Sequence, residues 1–189
     1  MSHDDYKFKC SVNSKRSSLA IEYDPIKVAS IDGSGTRPHD RAVVRAINSK
    51  YKPPDPDEIT SDPRRTLFVG RLAPETTEET VLDAFVEYGP VVSCVLIRDI
   101  VSGFSRRYAF VEYKHLSDMR KAYDSANGCL IDGARILVDF EHGRNMRGWK
   151  PRRLGGGFGG RKESGQLRFG CRDRPYRRPS NRNKRKPDK

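Results

Sequence analysis

The sequence predicts an α+β domain whose elements follow the order β-α-β-β-α-β and whose four strands form one antiparallel sheet. Three observations support this fold class. Between residues 66 and 140, short aliphatic and aromatic runs alternate with segments of helical periodicity. Turn-forming pairs, Gly89-Pro90 and Asn127-Gly128, follow the two helical segments. A Pro-rich linker from Pro53 to Pro63, which cannot sustain a helix, precedes the first strand.

The first half of the domain contains a strand, a helix and a second strand. Residues 66–71 are the first strand. A helix is predicted from Thr77 to Tyr88, with Thr76 and Glu79 at the spacing of a capping box. Residues 91–98 form the second strand. The apolar stripe that the helix buries is expected to be Val81, Leu82, Phe85 and Val86.

The second half repeats this arrangement. After a loop over residues 99–105, residues 106–113 form the third strand, residues 116–126 a helix and residues 135–140 the last strand. The second helix is expected to bury Leu116, Met119, Ala122, Tyr123 and Ala126. Within the second strand, Cys94 is expected to be a small buried hydrophobe.

Aromatic side chains are placed on the first and third strands in an unusual way. Successive side chains of a strand point to opposite faces, so Arg106, Tyr108 and Phe110 share one face. Phe68 lies on the corresponding face of the first strand. A solvent-facing sheet that carries these aromatics is a platform on which unpaired bases stack. The alternative is that the two segments are unrelated core strands.

The segments Leu67–Leu72 and Arg106–Tyr113 resemble the two signature motifs of the RNA recognition motif family. The resemblance implies a single ferredoxin-like β-α-β-β-α-β sandwich with its first and third strands at the sheet centre. It also implies RNA contact through Phe68, Arg106, Tyr108 and Phe110. The chain departs from the family pattern at Arg107, where glycine is usual. A module whose sheet is covered, and which binds protein instead, remains an alternative.

Charge divides the chain into three parts: an N-terminal extension over 1–61, the RNA recognition motif over 62–142, and a basic Gly/Arg-rich extension over 143–189. The net charge of +12 is distributed as +1 over residues 1–61, −2 over 62–140 and +13 over 141–189. The extensions are expected to be largely irregular. This distribution is typical of a folded domain that recognises bases, followed by a basic tail that is attracted to phosphates.

The N-terminal extension contains one candidate helix, near residues 40–51. Its apolar side is expected to carry Val43, Val44, Ile47 and Tyr51. This helix either packs back on the domain, forms only in part, or docks a protein or the RNA.

The C-terminal extension begins with Gly148–Gly160, which mixes Trp149, three basic residues and a glycine run. Two interpretations stay open for it: a solvated linker, or a segment that becomes ordered along RNA. The basic run from Arg177 to Lys186 suits nuclear import or nonspecific RNA contact, or is a solvated tail with neither role.

The sequence lacks the residue patterns that an enzyme or a metal-binding protein requires. The cysteines show no zinc-ligand spacing, and no histidine has a nucleophile or carboxylate at a telling distance in sequence. We therefore expect no enzyme activity, no metal site, no cofactor and no small-molecule substrate. No apolar stretch is near the roughly twenty residues that cross a bilayer, so no membrane partner is expected and the protein is expected to be intracellular.

The flanks carry a narrower resemblance, over about residues 19–180. The segments similar to the U11/U12 small nuclear ribonucleoprotein 35 kDa family are Glu22–Pro25, Ile31–Gly33, Pro38–Ala42, Gly103–Ser105, Gly148–Gly160 and Lys162–Gly170. The Trp149–Gly157 element is also similar to one in the U1 70 kDa family. The long Arg-rich tail that is usual in the 35 kDa family does not follow Lys189 in this sequence.

This resemblance implies binding of a U11 snRNA hairpin within the minor, U12-type spliceosome, in support of 5′ splice-site recognition. The expected partners are the U11/U12 ribonucleoprotein and other spliceosomal proteins, and the expected location is the nucleus. Trp149 would wedge or stack. The residues expected to follow the stem phosphates are Arg144, Arg147, Lys150, Arg152 and Arg153. A U1-type or general pre-mRNA-binding protein is the alternative.

Overall fold

The computed structural model describes residues 22–30, 33–55 and 59–158. The chain divides into two compact units. One is Ser49–Pro151, and it contains the predicted sheet. The other combines Met1–Asn48 with Arg152–Lys189, of which residues 22–30, 33–48 and 152–158 are described.

Five α-helices and six strands are present in the described residues. The helices are α1 (Pro25–Ala29), α2 (Arg41–Asn48), α3 (Glu78–Val86), α4 (Leu116–Ser125) and α5 (His142–Asn145). The strands are β1 (Thr66–Gly70), β2 (Val91–Arg98), β3 (Ser105–Tyr113), β4 (Leu130–Ile131), β5 (Ala134–Arg135) and β6 (Leu137–Phe140). A 3₁₀ turn covers Arg152–Leu154.

Four strands form one sheet in the order β2-β3-β1-β6, and every neighbouring pair is antiparallel. The predicted fold is confirmed, including the central position of β1 and β3. Phe68 pairs with Phe110, and Gly70 pairs with Tyr108. The aromatic positions of the two strands are therefore neighbours across the ladder.

One sheet face is covered by α3 and α4, which together with the strands enclose the core. Its most buried side chains are Leu67, Val69, Val81, Phe85, Val111, Tyr113 and Val138. Tyr113 donates its hydroxyl hydrogen to the carbonyl oxygen of Phe85 at 2.8 Å. Because this hydroxyl is removed from water, burial raises the pKa of Tyr113.

The start of α3 differs from the predicted capping box. Thr77 is the N-cap, and its side-chain oxygen accepts a hydrogen bond from the Thr80 N–H at 3.2 Å. Thr76 is instead buried and donates to the Asp132 carboxylate at 2.7 Å. The predicted cap was therefore wrong by one residue, since the Thr76 hydroxyl is engaged in joining two loops.

Two further details of the domain differ from prediction. The segment predicted as one strand over 135–140 is divided, because the Ile136 N–H donates to the Cys129 carbonyl oxygen and the Ile136 carbonyl accepts from the Gly128 N–H. This bonding closes the β4–β5 hairpin before β6 joins the sheet. Leu116 and Val86 were both expected in the core, but Leu116 is 39% exposed at the first position of α4 and Val86 is 51% exposed at the end of α3.

In the second unit, α2 confirms a helix inside the predicted range but presents a different face. Val43 and Ala46 are buried, whereas Val44 and Ile47 are exposed. Asp40 begins the helix by accepting a hydrogen bond from the Val43 N–H at 2.7 Å. The expected apolar side was wrong because a small alanine, rather than the larger Val44 and Ile47, occupies the packed side.

Gly155, Gly156 and Gly157 of the C-terminal extension are buried in the same unit. Gly155 has a φ of +88°, and a side-chain methyl there would overlap the carbonyl oxygen of Ala42. Tyr23 donates its hydroxyl hydrogen to the Gly157 carbonyl oxygen at 3.1 Å, and its ring contacts Phe158 edge-on. Residues 155–158 are therefore a packed segment rather than a solvated linker. The predictions for 159–189 fall outside the described residues.

Candidate nucleic-acid interface

The open face of the sheet carries a cluster of three aromatic rings. Phe68 lies 5.7 Å from Tyr108 and 5.9 Å from Phe110, measured between ring centroids. Tyr108 and Phe110 are 6.0 Å apart and nearly perpendicular. All three side chains are half-buried, and their neighbours along each strand, such as Val69 and Ala109, are in the core. The three aromatics that the sequence predicts to lie together do so.

Gly70 shapes this cluster. It lies two residues after Phe68 on the same strand and so on the same face. A Cβ at Gly70 would lie 2.9 Å from the Cε1 atom of the Phe68 ring. The ring therefore lies against the glycine backbone, and the missing side chain leaves room for this orientation.

The sheet neighbours of the aromatics extend the face. Val95 pairs with Phe110 and is 48% exposed, so β2 adds an aliphatic contact surface. Asp139 pairs with Phe68 on the other side. Its carboxylate oxygen lies 3.4 Å from His142 Nε2, and the His142 ring lies 5.1 Å from the Trp149 ring.

Asp139 and His142 were missed by the sequence reasoning. The signal available was their spacing of three residues at the end of the last strand, directly before the basic extension. His142 lies next to both the Asp139 carboxylate and the Trp149 ring, and Asp139 pairs with Phe68. Through these contacts Trp149 is held near the edge of the sheet that β6 forms.

Arg107 adopts a left-handed backbone conformation, with φ of +63°. Its Nε donates to the Leu72 carbonyl oxygen at 2.8 Å, and its own N–H donates to the Ser105 hydroxyl at 3.1 Å. The family pattern has glycine here, the residue for which this conformation costs least. The structure therefore explains the glycine of the pattern and shows what holds an arginine in its place.

Arg106 is exposed on the same strand, beside the β2–β3 loop. That loop is ordered by Asp99, whose carboxylate accepts from the Ser102 N–H at 3.0 Å and the Val101 N–H at 3.1 Å. These hydrogen bonds, Ser102 first, lower the pKa of Asp99, and the nearby Arg106 charge lowers it further. The loop presents Ile100, Val101 and Phe104 to solvent.

Arg144 has an internal position. Its guanidinium donates to both carboxylate oxygens of Glu141, at 2.6 and 2.8 Å, and to the backbone and side-chain oxygens of Ser61. The side chains of the pair are 11% and 9% exposed. The hydrogen bonds with Glu141 raise the pKa of Arg144. This geometry joins α5 to the linker before β1 and does not favour a phosphate contact.

The other predicted basic contacts lie in three settings. Arg147 is exposed after α5. Lys150 donates its ammonium hydrogen to the Ser49 carbonyl oxygen at 2.5 Å. Arg152 and Arg153 belong to the 3₁₀ turn in the other unit, where both are exposed and Arg152 donates to the Phe158 carbonyl oxygen.

Comparison with known proteins places this site in a family. Residues 67–137 match the RNA recognition motif. The chain is 54% identical over 163 residues to the U11/U12 small nuclear ribonucleoprotein 35 kDa protein of Xenopus laevis, and 51% identical over 171 residues to that of Danio rerio. The second alignment covers 90% of this chain and 81% of the relative. The chain belongs to the U11/U12 small nuclear ribonucleoprotein 35 kDa family.

The family assignment confirms the resemblance seen in the flanks. The alignment covers 86% of this chain and 59% of the Xenopus laevis relative, so the chain spans less than two thirds of that protein. A more distant relative is the U1 small nuclear ribonucleoprotein 70 kDa of Drosophila melanogaster, 49% identical over 114 residues. That alignment covers 59% of this chain and 25% of the relative.

Two other features are absent from residues 22–30, 33–55 and 59–158. No group of three or more His, Cys, Asp or Glu side chains there is arranged to hold a metal ion. Among the same residues, no helix has the length and apolar character needed to cross a membrane.

Proposed function

We propose that this protein is an RNA-binding component of the minor spliceosome that binds a U11 snRNA stem-loop and supports 5′ splice-site recognition in the nucleus. The observation that carries the proposal is the cluster of Phe68, Tyr108 and Phe110 on the open sheet face, with centroid distances of 5.7 to 6.0 Å. The names of the relatives are the reason for proposing the U11/U12 ribonucleoprotein as the particle to which the protein belongs.

Stacking gives the sheet its affinity for unpaired bases. Each base on an aromatic ring contributes about 1–3 kcal/mol, and the rings are offered on two adjacent strands. The loop of a hairpin presents unstacked bases, whereas a duplex hides them. The aromatic cluster therefore favours a looped RNA over a paired one.

The excess of positive charge lies in a different part of the sequence from the aromatic cluster. Residues 62–140 carry a net charge of −2, and residues 141–189 carry +13. Long-range attraction to RNA then comes from the C-terminal extension, and base selection comes from the sheet. We assign phosphate contacts to the exposed Arg106 and Arg147.

The other expected contacts take different places in the proposal. Trp149 stacks at the edge of the sheet, supported by His142. Lys150 can contact a phosphate only when its ammonium group releases its hydrogen bond to the Ser49 carbonyl oxygen. Arg152 and Arg153 remain candidates through their exposure, and Arg144 is left in its ion pair with Glu141.

The test compares a U11 5′ hairpin with hairpins of scrambled loop sequence, at one fixed salt concentration, because phosphate contacts alone make affinity depend on salt. Wild-type protein should prefer the native loop. Phe68→Ala combined with Phe110→Ala should lose about 2–6 kcal/mol of binding free energy, from two stacking contacts. Equal affinity for all loops would refute the U11 assignment. Unchanged RNA binding in the double variant would identify the sheet as a protein-binding surface.

A second candidate function is favoured by the 49% identity to the Drosophila melanogaster U1 protein. Immunoprecipitation of the full chain from nuclear extract, followed by RNA sequencing, separates the two. Recovery of U11 RNA supports the proposal. Recovery of U1 RNA without U11, or of mixed pre-mRNA, supports a U1-type or general pre-mRNA-binding role.

A further inference from the structure

A cleft of about 150 Å³ opens on the side of the domain covered by the helices. It lies between the C-terminal end of α3, the residues after α4 and the β4–β5 hairpin. The lining is mostly apolar: Ala84, Phe85, Glu87, Tyr88, Ala126, Cys129, Leu130, Ile131 and Ile136. These residues belong to one compact unit and contribute nothing to the aromatic sheet face.

The rim of the cleft exposes apolar surface. Leu130 is 62% exposed at the start of β4, although it is a large aliphatic side chain. The Cys129 thiol is exposed beside it and donates a hydrogen bond to the Ser125 carbonyl oxygen at 3.7 Å. An apolar floor with a few polar groups at its edge is the usual composition of a binding site.

The α3 side of the cleft is acidic. From Leu72 to Ile97 the sequence contains five carboxylates and no Lys, Arg or His. Glu87 lines the cleft, and Asp83 is exposed one turn earlier on α3. On the opposite side, Arg135 donates to the Gly128 carbonyl oxygen. The α3 side therefore repels phosphate and attracts a cationic ligand.

The volume of the cleft indicates the size of its ligand. An apolar cavity of about 150 Å³ accommodates a benzene molecule, so this cleft suits one aromatic side chain. We propose that it binds a short basic segment of another protein, with one aromatic side chain inserted between Phe85, Ala126 and Ile131 and flanking cations beside Glu87 and Asp83.

The proposed site is independent of RNA binding. The aromatic cluster lies on the open face of the sheet, and the cleft lies beside the helices on the other face. RNA and the protein segment can therefore bind at the same time, which is a property suited to a subunit of a ribonucleoprotein.

The test uses fluorescence anisotropy of labelled peptides with the full chain. The probe is a nine-residue peptide with a central Trp flanked by two Arg on each side and by Gly and Ser at its ends. Matched peptides carry Ala in place of Trp, or Asp in place of Arg. We expect each of these changes to weaken binding at least tenfold, since one removes the anchor and the other the charge complementarity.

Two protein variants locate the binding. Leu130→Asp and Glu87→Lys should each weaken binding of the Trp peptide at least fivefold, and both positions are exposed, so the fold is retained. Leu116→Asp is the matched control. It replaces another exposed leucine, at the opposite end of α4, where an acidic residue suits the helix N-terminus.

Alkylation of Cys129 provides a second readout. In a Cys10→Ser, Cys171→Ser chain, the Trp peptide should slow the reaction of Cys129 with N-ethylmaleimide at least threefold, and the Ala peptide should not. The proposal is overturned if the Trp and Ala peptides bind equally, if Leu130→Asp and Leu116→Asp behave alike, or if single-stranded RNA protects Cys129 in the Phe68→Ala, Phe110→Ala background.

Discussion

The side-chain Nε of Arg107 donates to the carbonyl oxygen of Leu72 at 2.8 Å, while the Leu72 N–H donates to the Arg107 carbonyl oxygen at 3.1 Å. These two bonds fasten β3 to the end of β1 directly beside Tyr108. They also hold Arg107 at φ of +63°, a conformation that residues other than glycine, asparagine and aspartate rarely adopt. Both bonds thus help to position Tyr108, for which we propose a base-stacking role.

Arg107→Ala should destabilise the domain more than Arg107→Gly. Alanine keeps the conformational cost, about 1 kcal/mol, and loses a hydrogen bond that contributes about as much. Glycine loses the same bond but removes the conformational cost. We expect a loss of about 1 kcal/mol in the free energy of unfolding for alanine and little change for glycine, measured by urea denaturation. Greater stability of the alanine variant would contradict this account.

Gly70→Ala should weaken RNA binding through the Phe68 ring. The new Cβ would lie 2.9 Å from Phe68 Cε1, so the ring must turn away from its present position. A loss of about one stacking contact, roughly 1–2 kcal/mol of binding free energy, is expected in hairpin titrations. In the Phe68→Ala background the same substitution should have almost no effect, because residues in contact act non-additively. Additive losses would show that Gly70 acts elsewhere.

Elements whose signal is local were predictable from the sequence, and contacts between distant segments were not. The predicted bounds of β2 are confirmed, because a run of β-branched and aliphatic residues after Gly89-Pro90 has one reasonable interpretation. Thr76 was misassigned because its hydroxyl binds Asp132, more than fifty residues away. Alternation along β3 could not give the conformation of Arg107, because that depends on Leu72.

The basic residues of the site show the same limit. The sequence gives the charge of Arg144 and Arg147 but not their burial, and the two differ by only three positions. The burial of Arg144 follows from Glu141 and Ser61, because both accept hydrogen bonds from its guanidinium inside the protein. The sequence predicts that both arginines contact RNA phosphates, whereas the structure gives them different surroundings: Arg144 is in an ion pair with Glu141 and Arg147 is exposed.

Arg144→Ala should therefore affect stability, and Arg147→Ala should affect RNA binding. Removing one partner of a buried ion pair leaves the Glu141 charge uncompensated and costs about 3 kcal/mol or more. The exposed Arg147 should leave the unfolding transition unchanged while lowering the slope of log affinity against log salt by about 1. Thermal denaturation and hairpin titration at several salt concentrations measure the two effects. The opposite pattern would exchange the assigned roles.

Gly155→Ala should disrupt the smaller compact unit. The new methyl group would meet the Ala42 carbonyl oxygen, and the φ of +88° is itself unfavourable for alanine. Hydrogen exchange of the α2 amides should become at least tenfold faster. Gly103→Ala is the matched control, because its φ of +72° is similar while no atom lies within 4 Å of the added group. Equal acceleration of α2 in both variants would mean that the close approach at Ala42 is unimportant.

Cys94 should be chemically silent at neutral pH. Burial, and then the nearby Glu78 charge, raise the pKa of its thiol to about 12. At pH 8 the thiolate fraction is then about 10⁻⁴, compared with about a quarter for an ordinary thiol of pKa near 8.5. In a chain whose other three cysteines are serine, the alkylation rate should rise about tenfold per pH unit from pH 8 to 11. Because the unfolded thiol ionises first, the free energy of unfolding should also fall as pH rises from about 8.5 towards 12. A rate that levels off near pH 9 would show that Cys94 is accessible to water.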